Sequence, residues 1–162
     1  MLKKAAGFTL IELIVTMVIL AIVAAVAVPG FGNLIEGNRL VSGTNLVASS
    51  IKFARAEAIK RGASVTLSSD SGLASGWCVH EGDATGDCAN NQIRSFDAPN
   101  RLLFTPAAAF DLVFDRRGFL VPQVARELTI YPEDCTSGDA SFRRIRISPV
   151  GRTEIDDDGV CP

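Results

Sequence analysis

Histidine is almost missing from this 162-residue chain: His80 is the only one. A Ser-His-Asp or Cys-His catalytic set would have to use it, and it lies two residues from a cysteine. No enzyme is expected, and the plain reading of His80 is a loop residue. Metal ligands are scarce too. The four cysteines, Cys78, Cys88, Cys135 and Cys161, form no CxxC pair, and one histidine does not make up the deficit for zinc. Glu81, Asp83 and Asp87, or Asp156, Asp157 and Asp158, could offer oxygens to calcium. Neither group has EF-hand spacing, so solvated turn acids are the expectation. No catalytic residue, metal or cofactor is assigned.

An excess of basic charge is also lacking. Sixteen Lys and Arg face eighteen Asp and Glu, for a net charge of −2. That balance argues against a general nucleic-acid binder. There is no internal repeat, low-complexity tract or linker, so the length fits a single domain of ordinary size.

What the chain does have is a long apolar run, Phe8 to Val28, in which Glu12 is the only charge. As a helix, those 21 residues would measure about 32 Å, close to the hydrocarbon thickness of a bilayer. Lys3 and Lys4 precede the run, which places the N-terminus in the cytoplasm and the rest across the membrane. A secretory signal peptide is the bland alternative, and Ala25-Val26-Ala27 would supply its cleavage site. The run exceeds a typical signal-peptide core, and an acid has no use in a segment that is discarded. A carboxylate at the centre of a bilayer helix costs about 2.5–3.5 kcal/mol, so Glu12 is a candidate functional residue.

Gly7-Phe8-Thr9-Leu10-Ile11-Glu12 resembles the prepilin motif of type IV pilins and type II secretion pseudopilins: a short basic leader, Gly, Phe, three residues, Glu, then an apolar helix. The resemblance implies cleavage between Gly7 and Phe8 by a prepilin peptidase, N-methylation of Phe8, and an assembly role for Glu12. In a filament of staggered helices, Glu12 would face the new amine of a neighbour. Two such charges attract strongly in low dielectric, and an unmatched one is penalised, so the pair would set register. Glu12 also lies in the first turns of the mature helix, where the dipole favours an anion.

Beyond Pro29 the pattern becomes amphipathic. Leu40, Thr44, Val47, Ile51, Ala54 and Ala58 step by three or four and predict one core-facing stripe. Lys60 and Arg61 suit a helix C-terminus, and Gly62 is a natural stop. One helix is predicted from about Phe8 to Arg61, kinked near residues 29–32. The period then changes to two. Candidate strands are Ser64–Ser69, Trp77–His80, Ile93–Phe96, Leu112–Phe114, Phe119–Val121, Leu128–Tyr131 and Phe142–Ser148. The expected fold is α+β: a long N-terminal transmembrane-plus-amphipathic helix packed against antiparallel β-sheets, as in type IV pilins. Its parts would be a leader (1–7), a membrane and assembly helix (8–28) and a periplasmic head (29–162).

Val113-Phe114-Asp115 before Arg117-Gly118, and Ser148-Pro149-Val150-Gly151-Arg152-Thr153 after a strand, look like the GspH/FimT branch of minor pilins and pseudopilins. The cysteines allow three pairings. The sequence-local one, Cys78–Cys88 with Cys135–Cys161, resembles the C-terminal disulfide loop of many pilins and is favoured; the crossed pairings stay open.

The resemblance implies a minor type IV pilin acting in a priming or tip complex, in the inner membrane as a single-pass protein with a periplasmic head and then in the fibre. Its implied partners are other minor pilins, major pilin subunits, the peptidase, the inner-membrane assembly platform and, before assembly, lipid. The alternative is a GspH-type minor pseudopilin of a type II secretion system. Some FimT-like pilins bind DNA through Gly-Arg-x-Arg; here Gly151-Arg152-Thr153-Glu154 puts an acid at the second arginine, and Asp156-Asp157-Asp158 follow. Arg143, Arg144, Arg146 and Arg152 are the residues left for a weak contact. The expectation is a solvated strand face, with a DNA-binding minor pilin in DNA uptake the least favoured of the three readings.

Overall fold

The computed structural model describes residues 9–83, 88–89, 91–136, 142–156 and 161; the side chains of 26–31 and 33 also lie outside the described set. The chain divides into two compact units, Met1–Glu36 and Gly37–Pro162. One helix, α1 (Leu10–Arg61), contributes to both.

In the first unit the helix is apolar and exposed, from Leu10 (75% accessible) through Val23 (58%). Among the described residues, no helix is long and apolar enough to cross a membrane. The described side chains of this run stop at Ala25, and the bend expected at residues 29–32 also falls where side chains are not described.

In the second unit the helix has a buried stripe. Leu40, Thr44, Val47, Ile51, Ala54 and Ala58 are all at most 6% accessible, as their 3.6-residue period requires. Gly62 closes the helix in the left-handed region (φ 65°), its N–H donating to the Ala58 carbonyl at 3.0 Å.

Nine strands follow: β1 (Val65–Ser69), β2 (Trp77–Glu81), β3 (Gln92–Phe96), β4 (Leu102–Thr105), β5 (Phe110–Phe114), β6 (Leu120–Val121), β7 (Arg126–Pro132), β8 (Arg143–Ile147) and β9 (Thr153–Asp156). They form two antiparallel sheets, in the orders β3-β2-β1-β5-β6 and β4-β7-β8-β9. The core joins Ile51, Ala54 and Ala58 of the helix to Leu67, Leu112 and Phe114 of the first sheet and Leu128, Ile130, Ile145 and Ile147 of the second. This is the α+β arrangement of helix on antiparallel sheets that the sequence predicts.

The single tryptophan ties helix to sheet. Trp77 is 3% accessible, its indole N–H donates to Ser50 Oγ at 2.8 Å, and its ring stacks on Phe96 at 5.8 Å. Ser50 in turn donates to the Val47 carbonyl at 2.8 Å, so a buried hydroxyl inside the helix is fully used.

Strands β4 and β9 are absent from the sequence reading. In β4, Leu102 and Phe104 point inward while Leu103 is 39% accessible, so an exposed leucine hides the alternation. In β9, Thr153-Glu154-Ile155-Asp156 has no apolar face; it is held by pairing with β8 in the register Arg144↔Asp156 and Arg146↔Glu154. His80 also departs from expectation. It lies in β2, wholly buried, with Nε2 2.9 Å from Ser68 Oγ, because the outer face of β1 and β2 is covered as well as the inner one.

Candidate functional site

Helix α1 opens on a reciprocal cap. Thr9 precedes the first helical residue, and Glu12 is the third residue of the first turn. The Glu12 N–H donates to Thr9 Oγ1 at 3.3 Å, and the Thr9 N–H donates back to Glu12 Oε2 at 3.4 Å. The Thr9 hydroxyl is 3.5 Å from the same oxygen. This is a capping box, Thr-x-x-Glu, which satisfies two otherwise orphaned donors and sets the carboxylate at the positive end of the helix dipole. The sequence reading placed Glu12 but missed Thr9, although the Thr-x-x-Glu spacing was there to be read. Glu12 is exposed among Leu10, Ile11, Leu13 and Ile14, which are 48–75% accessible. An acid with its own helix start as its partner is held at a fixed position on an otherwise apolar surface. Gly7 and Phe8 lie outside the described residues.

The second cluster is the arginine-bearing face of β8 and its neighbours. Arg144 Nε lies 2.9 Å from Glu127 Oε1, and Arg146 reaches both Glu127 (3.6 Å) and Asp156 (2.8 Å). Arg152 lies 3.1 Å from Glu154. Acids of β7 and β9 therefore flank the arginines on both sides, a charge ladder of alternating sign in place of a basic strip. Arg143 is half-buried and also engaged. A phosphate backbone approaching this face would meet acids at every step.

Gly151, at the centre of the Gly-Arg pair, has a packing role. Its φ is 76°, and an added Cβ would meet the Gly118 carbonyl and lie 2.8 Å from Arg55 Nε. Its N–H closes the β8–β9 turn on the Ser148 carbonyl at 2.8 Å.

The cysteines form Cys78–Cys88 and Cys135–Cys161, with Cα separations of 5.7 and 5.8 Å. The first joins β2 to the segment before β3, and the second ties Cys161 to the end of β7. Among the described residues no cluster of three or more His, Cys, Asp or Glu side chains could hold a metal.

Two carboxylates outside the apolar segment are held below the ordinary range. Glu57, 9% accessible, is lowered chiefly by the Arg61 guanidinium (2.8 Å), then by Lys60 (3.2 Å). Asp115, in the β5–β6 turn, is lowered chiefly by the Phe119 N–H, then by that of Arg117.

A helix that begins on a Thr-x-x-Glu cap, then lies under two antiparallel sheets through its C-terminal half, defines a pilin-class α+β subunit. A family model described as type II transport protein GspH matches residues 43–151, and one described as a prokaryotic N-terminal methylation motif matches residues 2–28. The chain belongs to the GspH family of type IV pilin-like proteins. It is similar in fold to the type IV minor pilin FimU of Pseudomonas aeruginosa strain PAO1, in two crystal forms. The P21 form gives 24% identity and a TM-score of 0.62 over 74% of this chain and 89% of that one. The P65 form gives 24% identity and 0.59 over 72% and 92%. At that identity the likeness speaks for the fold alone. No curated protein sequence matches the chain.

Proposed function

We propose that this chain is a minor type IV pilin that enters a priming or tip complex and starts pilus assembly through its N-terminal helix. In this reading a prepilin peptidase removes residues 1–7 between Gly7 and Phe8, and Phe8 is methylated on its new amine. Residues 8–28 hold the subunit in the inner membrane, N-terminus in the cytoplasm, with 29–162 as the periplasmic head until the assembly platform extracts it into the fibre.

The observation that carries the proposal is the exposed, capped carboxylate of Glu12 on the apolar start of α1. Its cap holds the carboxyl group oriented, within reach of the amine of a neighbouring subunit. The test is incorporation. Glu12→Ala is expected to insert in the membrane and keep its head folded, yet fail to co-purify with other minor pilins or to seed filaments. Wild-type seeding by Glu12→Ala would end this reading.

The match to the type II transport protein GspH over residues 43–151 favours a second reading, a minor pseudopilin of a type II secretion system using the same cleavage, methylation and assembly residues. Deleting the gene separates the two: loss of surface pili supports the first, loss of protein secretion the second. DNA capture is disfavoured by the acids that engage Arg144, Arg146 and Arg152.

A further inference from the structure

The second sheet ends on an open, acidic strand. Among the described residues β9 has β8 on one side and no strand on the other. The Ser148 N–H donates to the Arg152 carbonyl at 2.9 Å, and from there Glu154 and Asp156 turn their backbone groups toward β8, opposite Arg146 and Arg144. The same alternation turns the backbone N–H and C=O of Thr153 and Ile155 to the open side. Ile155 is on the core side of the sheet, yet it is 36% accessible, while Ile145 beside it is wholly buried. On the outer face the charges run in rows: Glu127 on β7, Arg144 and Arg146 on β8, then Glu154 and Asp156 on β9. The arginines of β8 have acids on both flanks, whereas the acids of β9 have β8 on one flank only. Arg152 meets Glu154 through one carboxylate oxygen, and Arg146 meets Asp156 through one. Both acids therefore keep acceptor capacity, since a carboxylate has about four lone-pair sites. No basic residue lies within β9, and the sequence continues with Asp157 and Asp158.

An open strand edge takes an added strand through main-chain hydrogen bonds, and alternate side chains set which strand it takes. The rows of charge set it here. A strand laid on β9 would stand about 4.8 Å from Glu154 and Asp156 and about twice that from the arginines of β8, close to a Debye length at 0.1 M salt. It meets acids first, and Lys or Arg on it would continue the alternation of sign. Arg152 precedes β9, with about 13 Å of extended chain between it and Asp156, so it bears on one end of the added strand only. The intervening residues of that strand would lie beside Ile155, where aliphatic side chains complete the cover of the core. We propose that β9 receives an extended segment of a different protein, with Lys or Arg at two alternate positions and aliphatic residues between them. A second copy of this chain does not supply such a segment. Among the described edge strands, β4 and β6 carry no basic residue, and β3 has one, Arg94, whose guanidinium lies over Phe53 and Phe96. The basic strand β8 is paired on both sides. The inference is independent of the priming role, since the edge and its acids belong wholly to the second unit.

The test is site-specific photo-crosslinking in cells, with benzoylphenylalanine in place of Arg152 in the full-length chain and mass-spectrometric mapping of the adduct. The expected adduct lies on a different protein, within a few residues of a segment with Lys or Arg at alternate positions. Glu154→Gln combined with Asp156→Asn keeps the shape of both side chains and removes their charge, and should cut the yield about tenfold. Ile155→Pro removes an N–H on the open side and leaves the pairing with β8 whole, so it should cut the yield as strongly. Glu133→Gln, at an acid of similar exposure away from β9 (60% against 53% for Glu154), should leave the yield unchanged. The variants are compared at unshifted melting temperature; if Ile155→Pro impairs folding, the double variant decides alone. The proposal is overturned by no adduct, by one on nucleic acid, lipid or a second copy of this chain, or by one on a segment without alternating basic residues. Full yield from either β9 variant at an unshifted melting temperature, or an equal loss from Glu133→Gln, overturns it as well.

Discussion

Arg55 donates from Nε to the carbonyl of Gly118 at 3.0 Å, across 63 residues of sequence. The same side chain runs beside Gly151, so one arginine of α1 meets the β5–β6 turn of the first sheet and the β8–β9 turn of the second. Both glycines are left-handed, with φ of 79° and 76°. Nearby, the Leu120 N–H donates to the Pro149 carbonyl at 2.9 Å, a second link between the sheets. The Gly-Arg pair that looks like a DNA-binding remnant in the sequence is, in the fold, a place where backbone and Arg55 pass too closely for a side chain.

Gly151→Ala is therefore expected to destabilise the full-length protein by at least about 2 kcal/mol, from the left-handed backbone and the clash with the Gly118 carbonyl. Arg152→Ala, next door on the surface, should change stability by no more than about 0.5 kcal/mol. Urea unfolding in detergent compares the two directly; equal effects would refute the packing role of Gly151.

Thr9 and Glu12 can be separated from each other. Glu12→Gln keeps a side chain able to complete the cap but removes the charge. If charge matching governs assembly, Glu12→Gln fails nearly as badly as Glu12→Ala. Thr9→Ala keeps the charge, loses about 1 kcal/mol of helix capping and assembles at reduced efficiency. Filament counts for the three variants would reveal the opposite order if capping alone mattered.

The period-3.6 stripe from Leu40 to Ala58 was fully legible in the sequence, because a helix under a sheet must bury one face and nothing else competes for those positions. Strands with one dry face were legible too. β1 is buried throughout, Thr66 and Ser68 included, yet its apolar Val65 and Leu67 still marked it. β4 and β9 were not legible, since one exposes a leucine and the other is held by cross-strand charge. At the candidate site, Glu12 stood out as a lone acid in an apolar run, while Thr9 needed the capping rule.

Reduction should unfold the head in two unequal steps of stability. With sequence separations of 10 and 26, loop-closure entropy assigns about 2.7 kcal/mol to Cys78–Cys88 and about 3.5 kcal/mol to Cys135–Cys161. Paired Cys→Ser variants, followed by thermal unfolding, should rank the C-terminal bridge as the costlier loss.

Acid sensitivity should trace to Glu57 and Asp115. Both carboxyls are lowered in the folded state, so their contribution is present above the ordinary carboxylate range and is lost as pH falls through the folded values. Glu57→Gln and Asp115→Asn should each lower stability at neutral pH and flatten its decline below about pH 5. Unfolding midpoints measured from neutral to acid pH give the slope; an unchanged slope in both variants would count against this origin.

Trp77 gives the molecule an internal optical gauge. As the only tryptophan, it is dry, stacked on Phe96 and bonded to a hydroxyl inside α1, so its emission belongs to one junction alone. Separating helix from sheet would hydrate the indole and shift its fluorescence to the red, while events confined to the distal turns would leave the colour unchanged. Any event that parts the head from its helix could thus be followed in real time without a label.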